Sequence, residues 1–163
     1  MVTDARATPS PRIRSGAYLR AGLLVVAVLA LDQLTKHAIV SGIPVGQERK
    51  FLPGIQLVHV RNTGVAFGFF SGGGALVLVF TLAALAALLC YFVLHPTRPW
   101  LWVPTGLLIG GALGNLLDRL LGGAVTDFIK FPLWPAFNVA DTSITFGVVA
   151  LVLVLESGRV DGR

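Results

Sequence analysis

The chain has 163 residues, of which 55% are hydrophobic and only 13% are charged. Soluble domains average about 25% charged residues, so the chain has too little polar surface for a water-soluble protein or for one that binds nucleic acid. The 13 Lys and Arg against 8 Asp and Glu are instead typical of a membrane protein with cationic cytoplasmic ends. We expect one domain, and the single cysteine, Cys90, cannot form an intrachain disulfide.

The first predicted transmembrane helix covers residues 18–40 and follows an arm, residues 1–16, that we expect to be disordered. A cleaved signal peptide is the alternative, because Arg12 and Arg14 resemble a basic n-region and residues 28–30 resemble a weak cleavage site. The helical pattern continues through residues 32–36, however, and three more apolar segments follow. We therefore interpret the first segment as a retained helix.

The next residues, 41–74, predict an outer loop with short strands, since residues 55–60 alternate in polarity and are flanked by Pro and Gly. Three more apolar segments follow, and each approaches the roughly 20 residues that cross hydrocarbon. They are residues 75–94, 100–121 and 138–156, and a second outer loop, residues 122–137, precedes the last of them. The predicted fold class is therefore an all-α membrane protein with four transmembrane helices and a small extracytoplasmic β-containing region between the first two.

Basic residues predict the orientation of these helices. Arginines are concentrated directly before the first helix, and an even number of spans places both termini on one side. Since basic flanking residues stay in the cytoplasm, both termini are expected there. The two connecting loops, residues 41–74 and 122–137, are then expected at the outer face.

Four carboxylates lie in or beside the predicted spans, and they are Asp32, Asp118, Asp127 and Asp141. An ionisable side chain costs about 2.5–3.5 kcal/mol at the centre of a membrane helix, so each of them is a candidate functional residue. The third span also carries a glycine stripe, defined as Gly106, Gly110 and Gly114. Glycines four residues apart predict a close contact with a neighbouring helix.

Polar side chains gather at the end of the third span and at the start of the fourth. Asn115, Asp118 and Arg119 share one face of a helix. They form either a catalytic group or a structural clamp, in which Arg119 neutralises a carboxylate and Asn115 bonds a neighbouring helix. In the fourth span, Asn138 resembles an N-cap and Asp141, three residues later, completes a variant of the capping box. A structural and a catalytic role for Asp141 are both open on these grounds.

Asp127 lies in the second predicted outer loop between apolar neighbours, which would draw it into the membrane interface at the depth of Asp141. A solvated loop aspartate is the alternative. Two close carboxylates cannot both ionise easily, so one keeps a proton. The ionised carboxylate can deprotonate water while the protonated one donates to a carbonyl oxygen, as in aspartic proteases. This chemistry requires no metal or cofactor, and the three histidines are scattered without metal-ligand spacing.

Five short segments, taken in chain order, together match the pattern of a known protein family. They are residues 31–36 (LDQLTK), 61–68 (RNTGVAFG), 111–119 (GALGNLLDR), 125–128 (VTDF) and 137–141 (FNVAD). Together they resemble the lipoprotein signal peptidase family, also called signal peptidase II, over about residues 18–156. The resemblance implies a catalytic dyad of Asp127 and Asp141. It also implies a set of supporting or substrate-binding residues, namely Asp32, Lys36, Asn62, Gly64, Asn115, Asp118, Arg119 and Asn138.

Two of the supporting positions have simpler alternatives. Asp32 and Lys36 are four residues apart and can pair within the first helix. Asn62, two residues before Gly64, is also typical of a turn that tolerates left-handed geometry.

The resemblance implies a membrane-embedded aspartic endopeptidase of the bacterial inner membrane. It would remove signal peptides from prolipoproteins by cutting before the diacylglyceryl-modified cysteine, near the outer face. Its partners would be the prolipoprotein and membrane lipids, and we expect a monomer that needs no cofactor, no metal and no nucleic acid. The residues alone leave two alternatives: a small proton or ion carrier that uses the buried carboxylates, and a non-catalytic assembly protein built on the glycine stripe.

Overall fold

The computed structural model describes residues 11–63 and 73–160. This part of the chain contains four helices and three strands. They are α1 (Pro11–Gly42), β1 (Glu48–Leu52), β2 (Ile55–Asn62), α2 (Gly73–Leu94), α3 (Trp102–Gly122), β3 (Val125–Lys130) and α4 (Val139–Val160). The predicted helices and the strands between the first two are confirmed. By length and composition, α1 from Ser15 to Gly42 and α4 from Val139 to Ser157 can cross a membrane, whereas four spans remain a prediction.

One predicted boundary is wrong, and one predicted loop contains a strand. Helix α1 begins at Pro11 and not after an arm that ends at residue 16, and proline suits a first turn because that turn has no partner for its N–H. The rest of the predicted disordered arm, residues 1–10, lies outside the described residues. The second predicted outer loop, residues 122–137, contains the strand β3.

The three strands form one antiparallel sheet in the order β1-β2-β3. Its central strand, β2, pairs with β1 on one side and with β3 on the other. The sheet therefore joins the connection between α1 and α2 to the connection between α3 and α4. In the β2–β3 register, Val60 lies opposite Asp127 and Asn62 lies opposite Val125. The sheet therefore brings the end of β2 beside the middle of β3.

An apolar cluster fixes the sheet on the C-terminal end of α1. Ile39 of α1 and Ile43, which directly follows this helix, pack with Phe128 of β3, and all three are buried. The ring Nδ1 of His59 in β2 also donates to the carbonyl oxygen of Ile43 at 2.7 Å. These contacts hold β3 at the same end of the helical bundle as the end of α1 and the start of α4.

The glycine stripe of α3 lies directly against α1. A Cβ added at Gly106 would lie 2.7 Å from the Cβ of Leu24, and one at Gly110 would lie 2.8 Å from the Cβ of Val28. At Gly114 it would lie 2.5 Å from a carboxylate oxygen of Asp32. The predicted close helix contact is confirmed, and because the contact is internal the stripe offers no surface for an assembly partner.

Large apolar side chains cover the outward faces of the helices. Leu23 of α1, Phe80 of α2 and Phe146 of α4 are each more than 60% exposed. An apolar surface of this extent is unfavourable in water. It suits contact with hydrocarbon, and the polar residues that the sequence places in the helices turn inward at one end of the bundle.

Candidate active site

The start of α4 holds Asp141 through a reciprocal capping box. The backbone N–H of Asp141 donates to the side-chain oxygen Oδ1 of Asn138 at 2.8 Å, and the backbone N–H of Asn138 donates to Asp141 Oδ2 at 3.2 Å. Both donors lack partners within the helix. The predicted structural role is thus confirmed, and it leaves the other carboxylate oxygen of Asp141 for further contacts.

Asp127 is not a solvated loop residue, because it lies inside β3 and is only 2% exposed. Its Oδ2 accepts a hydrogen bond from Asn62 Nδ2 at 2.9 Å, and its Oδ1 accepts one from Asn138 Nδ2 at 2.8 Å. Asn62 stands at the end of β2 and not in a turn, which corrects the simpler alternative for that residue. The strand pairing explains both contacts, since it aligns β2 with β3.

Two asparagine amides connect the aspartates to each other. Asn115 of α3 donates through Nδ2 to Asp141 Oδ1 at 2.7 Å. Asn138 bonds Asp127 and Asp141 and also donates to Asn115 Oδ1 at 3.1 Å. Asn138 is fully buried, and its side-chain amide links the carboxylate of Asp127 to the backbone N–H of Asp141. The prediction that Asn115 bonds a neighbouring helix is confirmed.

The electrostatics of Asp127 favour a proton on this residue. Burial raises the pKa of Asp127 from 3.8 to about 6, and the negative charge of Asp141 adds to that rise, while the hydrogen bonds from Asn62 and Asn138 oppose it. Burial dominates because an ionised carboxylate loses its hydration in a protein interior. Asp127 therefore stays protonated to a pH well above that of an ordinary aspartate.

A second cluster of polar side chains lies beside the two aspartates and surrounds the ammonium of Lys36. Lys36 is 3% exposed and forms ion pairs with Asp32 at 2.7 Å and with Asp118 at 3.0 Å. The predicted pairing of Asp32 with Lys36 inside the first helix is confirmed. The predicted clamp is corrected, because Asp118 is neutralised by Lys36 and not by Arg119. Arg119 donates to the carbonyl oxygen of Asn115 at 3.3 Å.

The structure adds one polar residue to the site and leaves one predicted residue untested. Gln33 donates through Nε2 to Asp118 Oδ1 at 3.0 Å and to the carbonyl oxygen of Gly114 at 3.3 Å. A polar amide inside an apolar span was the signal that could have identified it. Gly64, which the resemblance includes among the supporting residues, lies outside the described residues.

An apolar cavity of about 350 Å³ opens beside Asp141. It is lined by Trp134, Phe137, Thr142 and Phe146 in addition to Asp141. A larger cleft of about 650 Å³ lies at the turn between β1 and β2, around Phe51 and Pro53, and none of the carboxylates described above lines it. The smaller cavity therefore has the better position for a molecule that reacts at the aspartates.

Comparisons with known proteins identify the family of the chain. The family described as Signal peptidase (SPase) II matches residues 24–156. The lipoprotein signal peptidase of Moorella thermoacetica is 42% identical over 144 residues, covering 84% of this chain and 94% of that protein. The corresponding protein of Halothermothrix orenii is 37% identical over 134 residues, covering 82% of this chain and 92% of that protein.

Solved structures described as bacterial membrane enzymes share the fold. One has a TM-score of 0.77 and 33% sequence identity, covering 88% of this chain and 91% of its own. Another has a TM-score of 0.73 and the same 33% identity, covering 83% and 91%. The resemblance that the five sequence segments indicate is confirmed: the chain belongs to the signal peptidase II family, a family of bacterial membrane proteases.

Proposed function

We propose that the protein is an aspartic endopeptidase that removes signal peptides from bacterial prolipoproteins, cutting before the diacylglyceryl-modified cysteine. The observation that carries this proposal is the connection of Asp127, which is buried, to Asp141 through Asn138, whose amide bonds the Asp127 carboxylate and the backbone N–H of Asp141. Membership of the signal peptidase II family supports the substrate class. The family does not favour the ion-carrier alternative, and the carboxylates cluster at one end of the bundle instead of forming a path across it.

In the proposed mechanism, Asp141 is the general base and Asp127 is the general acid. Asp141 accepts hydrogen bonds on both oxygens, from Asn115 Nδ2 and from the backbone N–H of Asn138. Both donors and the positive end of the α4 dipole face this carboxylate, which orients it as the base. Asp127 has its pKa raised to about 6, so it can carry the proton that the reaction needs.

The reaction then requires no covalent intermediate. Asp141 accepts a proton from water as the water oxygen attacks the carbonyl carbon of the scissile bond, and Asp127 donates its proton to the carbonyl oxygen. When the tetrahedral intermediate collapses, the C–N bond breaks, the leaving amine takes the proton from Asp141, and the hydroxyl proton returns to Asp127. Isolation of an acyl-enzyme would contradict this scheme.

We infer that α1–α4 all span the membrane, with both termini in the cytoplasm and the aspartates near the outer face. The apolar outward faces of the helices support this placement. Trp100 and Trp134, which are 67% and 66% exposed, lie in connections at opposite ends of the bundle, as expected for aromatic residues at the two interfaces. The apolar cavity beside Asp141 would then face the lipidated part of the substrate, and a monomer suffices for this site.

The proposal is tested with purified protein and a diacylglyceryl-modified prolipoprotein, with the cleavage point located by mass spectrometry. We expect wild type to cut before the modified cysteine, and Asp127→Asn and Asp141→Asn to lose about 10²–10⁴-fold in rate. Glu48→Gln is the matched control, because it makes the same change on an exposed carboxylate of the same sheet.

Thermal melts in detergent establish that each variant is folded. If a folded Asp127→Asn or Asp141→Asn variant keeps the wild-type rate, the assignment of that aspartate is wrong. If wild type cleaves no prolipoprotein, the proposed function itself is wrong.

A further inference from the structure

Lys36 occupies an unusual position, since its buried ammonium bonds three side chains from two helices. Besides the ion pairs with Asp32 and Asp118, its Nζ donates to Asn115 Oδ1 at 3.1 Å. An ammonium has three protons to donate, and these three contacts can use all of them. The Lys36 side chain bonds neither Asp127 nor Asp141, and the mechanism above gives it no step.

Each carboxylate around Lys36 holds the backbone immediately before one of the two catalytic aspartates. Asp32 Oδ1 accepts the N–H of Ala140, the residue before Asp141, at 2.9 Å. Asp118 Oδ2 accepts the N–H of Thr126, the residue before Asp127, also at 2.9 Å. One ammonium is thereby linked through two carboxylates to the main chain at both catalytic positions.

The third contact of Lys36 fixes the orientation of the Asn115 amide. The oxygen Oδ1 of Asn115 accepts hydrogen bonds from Lys36 Nζ and from Asn138 Nδ2. Because that side of the amide faces two donors, the NH₂ group must face the other way, where it donates to Asp141 Oδ1. Without Lys36, Asn115 Oδ1 would keep Asn138 Nδ2 as its donor and lose the other of the two.

The two carboxylates also need the ammonium between them. Asp32 is fully buried and Asp118 has a side chain 10% exposed, and both lie within 3.0 Å of the same nitrogen. Like charges that are this close and this poorly hydrated repel strongly unless a cation separates them. Their separation therefore depends on Lys36, and so do the positions of the two backbone segments that they hold.

We propose that Lys36 is a positioning residue that sets the spacing of Asp127 and Asp141 and the orientation of Asn115. This inference rests on the proposed function. The two aspartates carry out the reaction, and the buried ammonium of Lys36 determines their relative position. Lys36 acts on the chemical step and not on the binding of the prolipoprotein.

The first test compares Lys36→Met with Lys130→Met by single-turnover cleavage at saturating enzyme, where the rate constant does not depend on the fraction of folded molecules. Lys130 is a matched control because it also pairs with a carboxylate at 3.0 Å, but its side chain is 44% exposed. We expect the rate constant of Lys36→Met to fall about 100-fold, as for a misplaced catalytic group. We expect KM to stay unchanged and Lys130→Met to cleave at the wild-type rate.

A second variant removes the charge imbalance that Lys36→Met alone creates. In Lys36→Met/Asp32→Asn/Asp118→Asn, the group is neutral and the asparagine oxygens can still accept the N–H groups of Ala140 and Thr126. We expect this variant to melt at a higher temperature than Lys36→Met and still to show a reduced single-turnover rate, because Asn115 has lost its donor.

The outcomes distinguish the inference from the function on which it rests. A folded triple variant that cleaves at the wild-type rate would overturn the positioning role of Lys36 while leaving the proposed function intact. A loss confined to KM would overturn it as well, since it would place Lys36 in substrate binding. If wild type fails to cleave, the proposed function fails first.

Discussion

The two ends of the helical bundle are held together by different kinds of interaction. At the end with the two aspartates, α1, α3, α4 and β3 meet through directional contacts between charged and amide groups centred on Lys36 and Asn138. At the other end, Ala21, Phe92 and Leu101 form a buried apolar cluster that joins α1, α2 and α3. Hydrogen bonds fix orientation as well as distance, whereas apolar contact is non-directional.

This contrast shows which end of the bundle depends on precise positions of individual atoms. The apolar end stabilises the association of the helices and tolerates small changes in their angles. The polar end places specific oxygen atoms against specific donors. We therefore expect changes at the polar end to reduce the rate more than the stability, and changes elsewhere to reduce the stability while the rate per folded molecule stays the same.

After the aspartates themselves, the largest effect is expected from Asn138→Ala, which removes the side-chain connection between Asp127 and Asp141. Asp127 Oδ1 and Asn115 Oδ1 would each lose a donor, and α4 would lose its N-cap. We expect the single-turnover rate to fall about 100-fold, with a loss of about 1–3 kcal/mol in the free energy of unfolding. An active variant with wild-type stability would show that this connection has no role.

Gly106→Ala perturbs the bundle away from the aspartates. The added methyl group would lie 2.7 Å from the Cβ of Leu24, and because both atoms belong to packed helices, α1 or α3 must shift. We expect a loss of about 1–3 kcal/mol in the free energy of unfolding, measured by denaturation in detergent. We expect the single-turnover rate of the folded variant to stay unchanged. A reduced rate would contradict the contrast between the two ends.

The end opposite the aspartates also contains a polar contact, and Arg98→Met removes it. Arg98 donates through Nη2 to the carbonyl oxygens of Val154 and Leu155 at 2.9 and 3.0 Å, and through Nη1 to the hydroxyl of Tyr91 at 2.6 Å. It thus ties the α2–α3 connection to the end of α4. We expect a loss of about 1–2 kcal/mol in stability and no change in the cleavage rate. A selective loss of rate would show that the two ends are coupled.

Stability should depend on pH through Asp127. Its pKa is raised from 3.8 to about 6, so between these values the folded protein keeps a proton that the unfolded chain has released. Stability must then fall as pH rises through this interval and level off above it. Asp127→Asn removes this loss, so its melting temperature relative to wild type should increase from pH 4 to pH 6. A difference that does not vary with pH would contradict the buried, protonated Asp127.

The smallest effect is expected from Glu48→Gln. The Glu48–Lys130 ion pair measures 3.0 Å, as the Lys36–Asp118 pair does, but both of its side chains are at least 44% exposed. Exposed pairs contribute about 0–1 kcal/mol because water screens them. We expect melting temperature and rate to remain close to those of wild type, which sets the baseline for the buried pairs.

The sequence predicts those parts of the site that depend on neighbours along the chain. The capping box of Asn138 and Asp141 and the Asp32–Lys36 pair each span one helical turn, so spacing alone identifies them. Their contacts follow from helix geometry. The sequence also predicts the four helices, since each contains one continuous apolar segment.

The parts that the sequence does not predict depend on distant residues. The sequence offers the neighbouring Arg119 as a clamp for a carboxylate, whereas the partner of Asp118 is Lys36 on another helix. Strand β3 was expected to be a loop because it is short and its pairing partner β2 belongs to a different connection. The contact of Asn62 with Asp127 follows from that pairing, so the residues alone leave a turn open as the alternative for Asn62.

The pairing of Asp32 with Lys36 has a consequence for how the chain enters a bilayer. Because the two opposite charges lie one turn apart on α1, this helix carries its own counter-ion before α3 has been synthesised. A neutral pair costs less to transfer into lipid than a lone carboxylate or ammonium. Pairing within α1 therefore lowers the cost of placing Asp32 in lipid, and this benefit does not depend on Asp118 of α3.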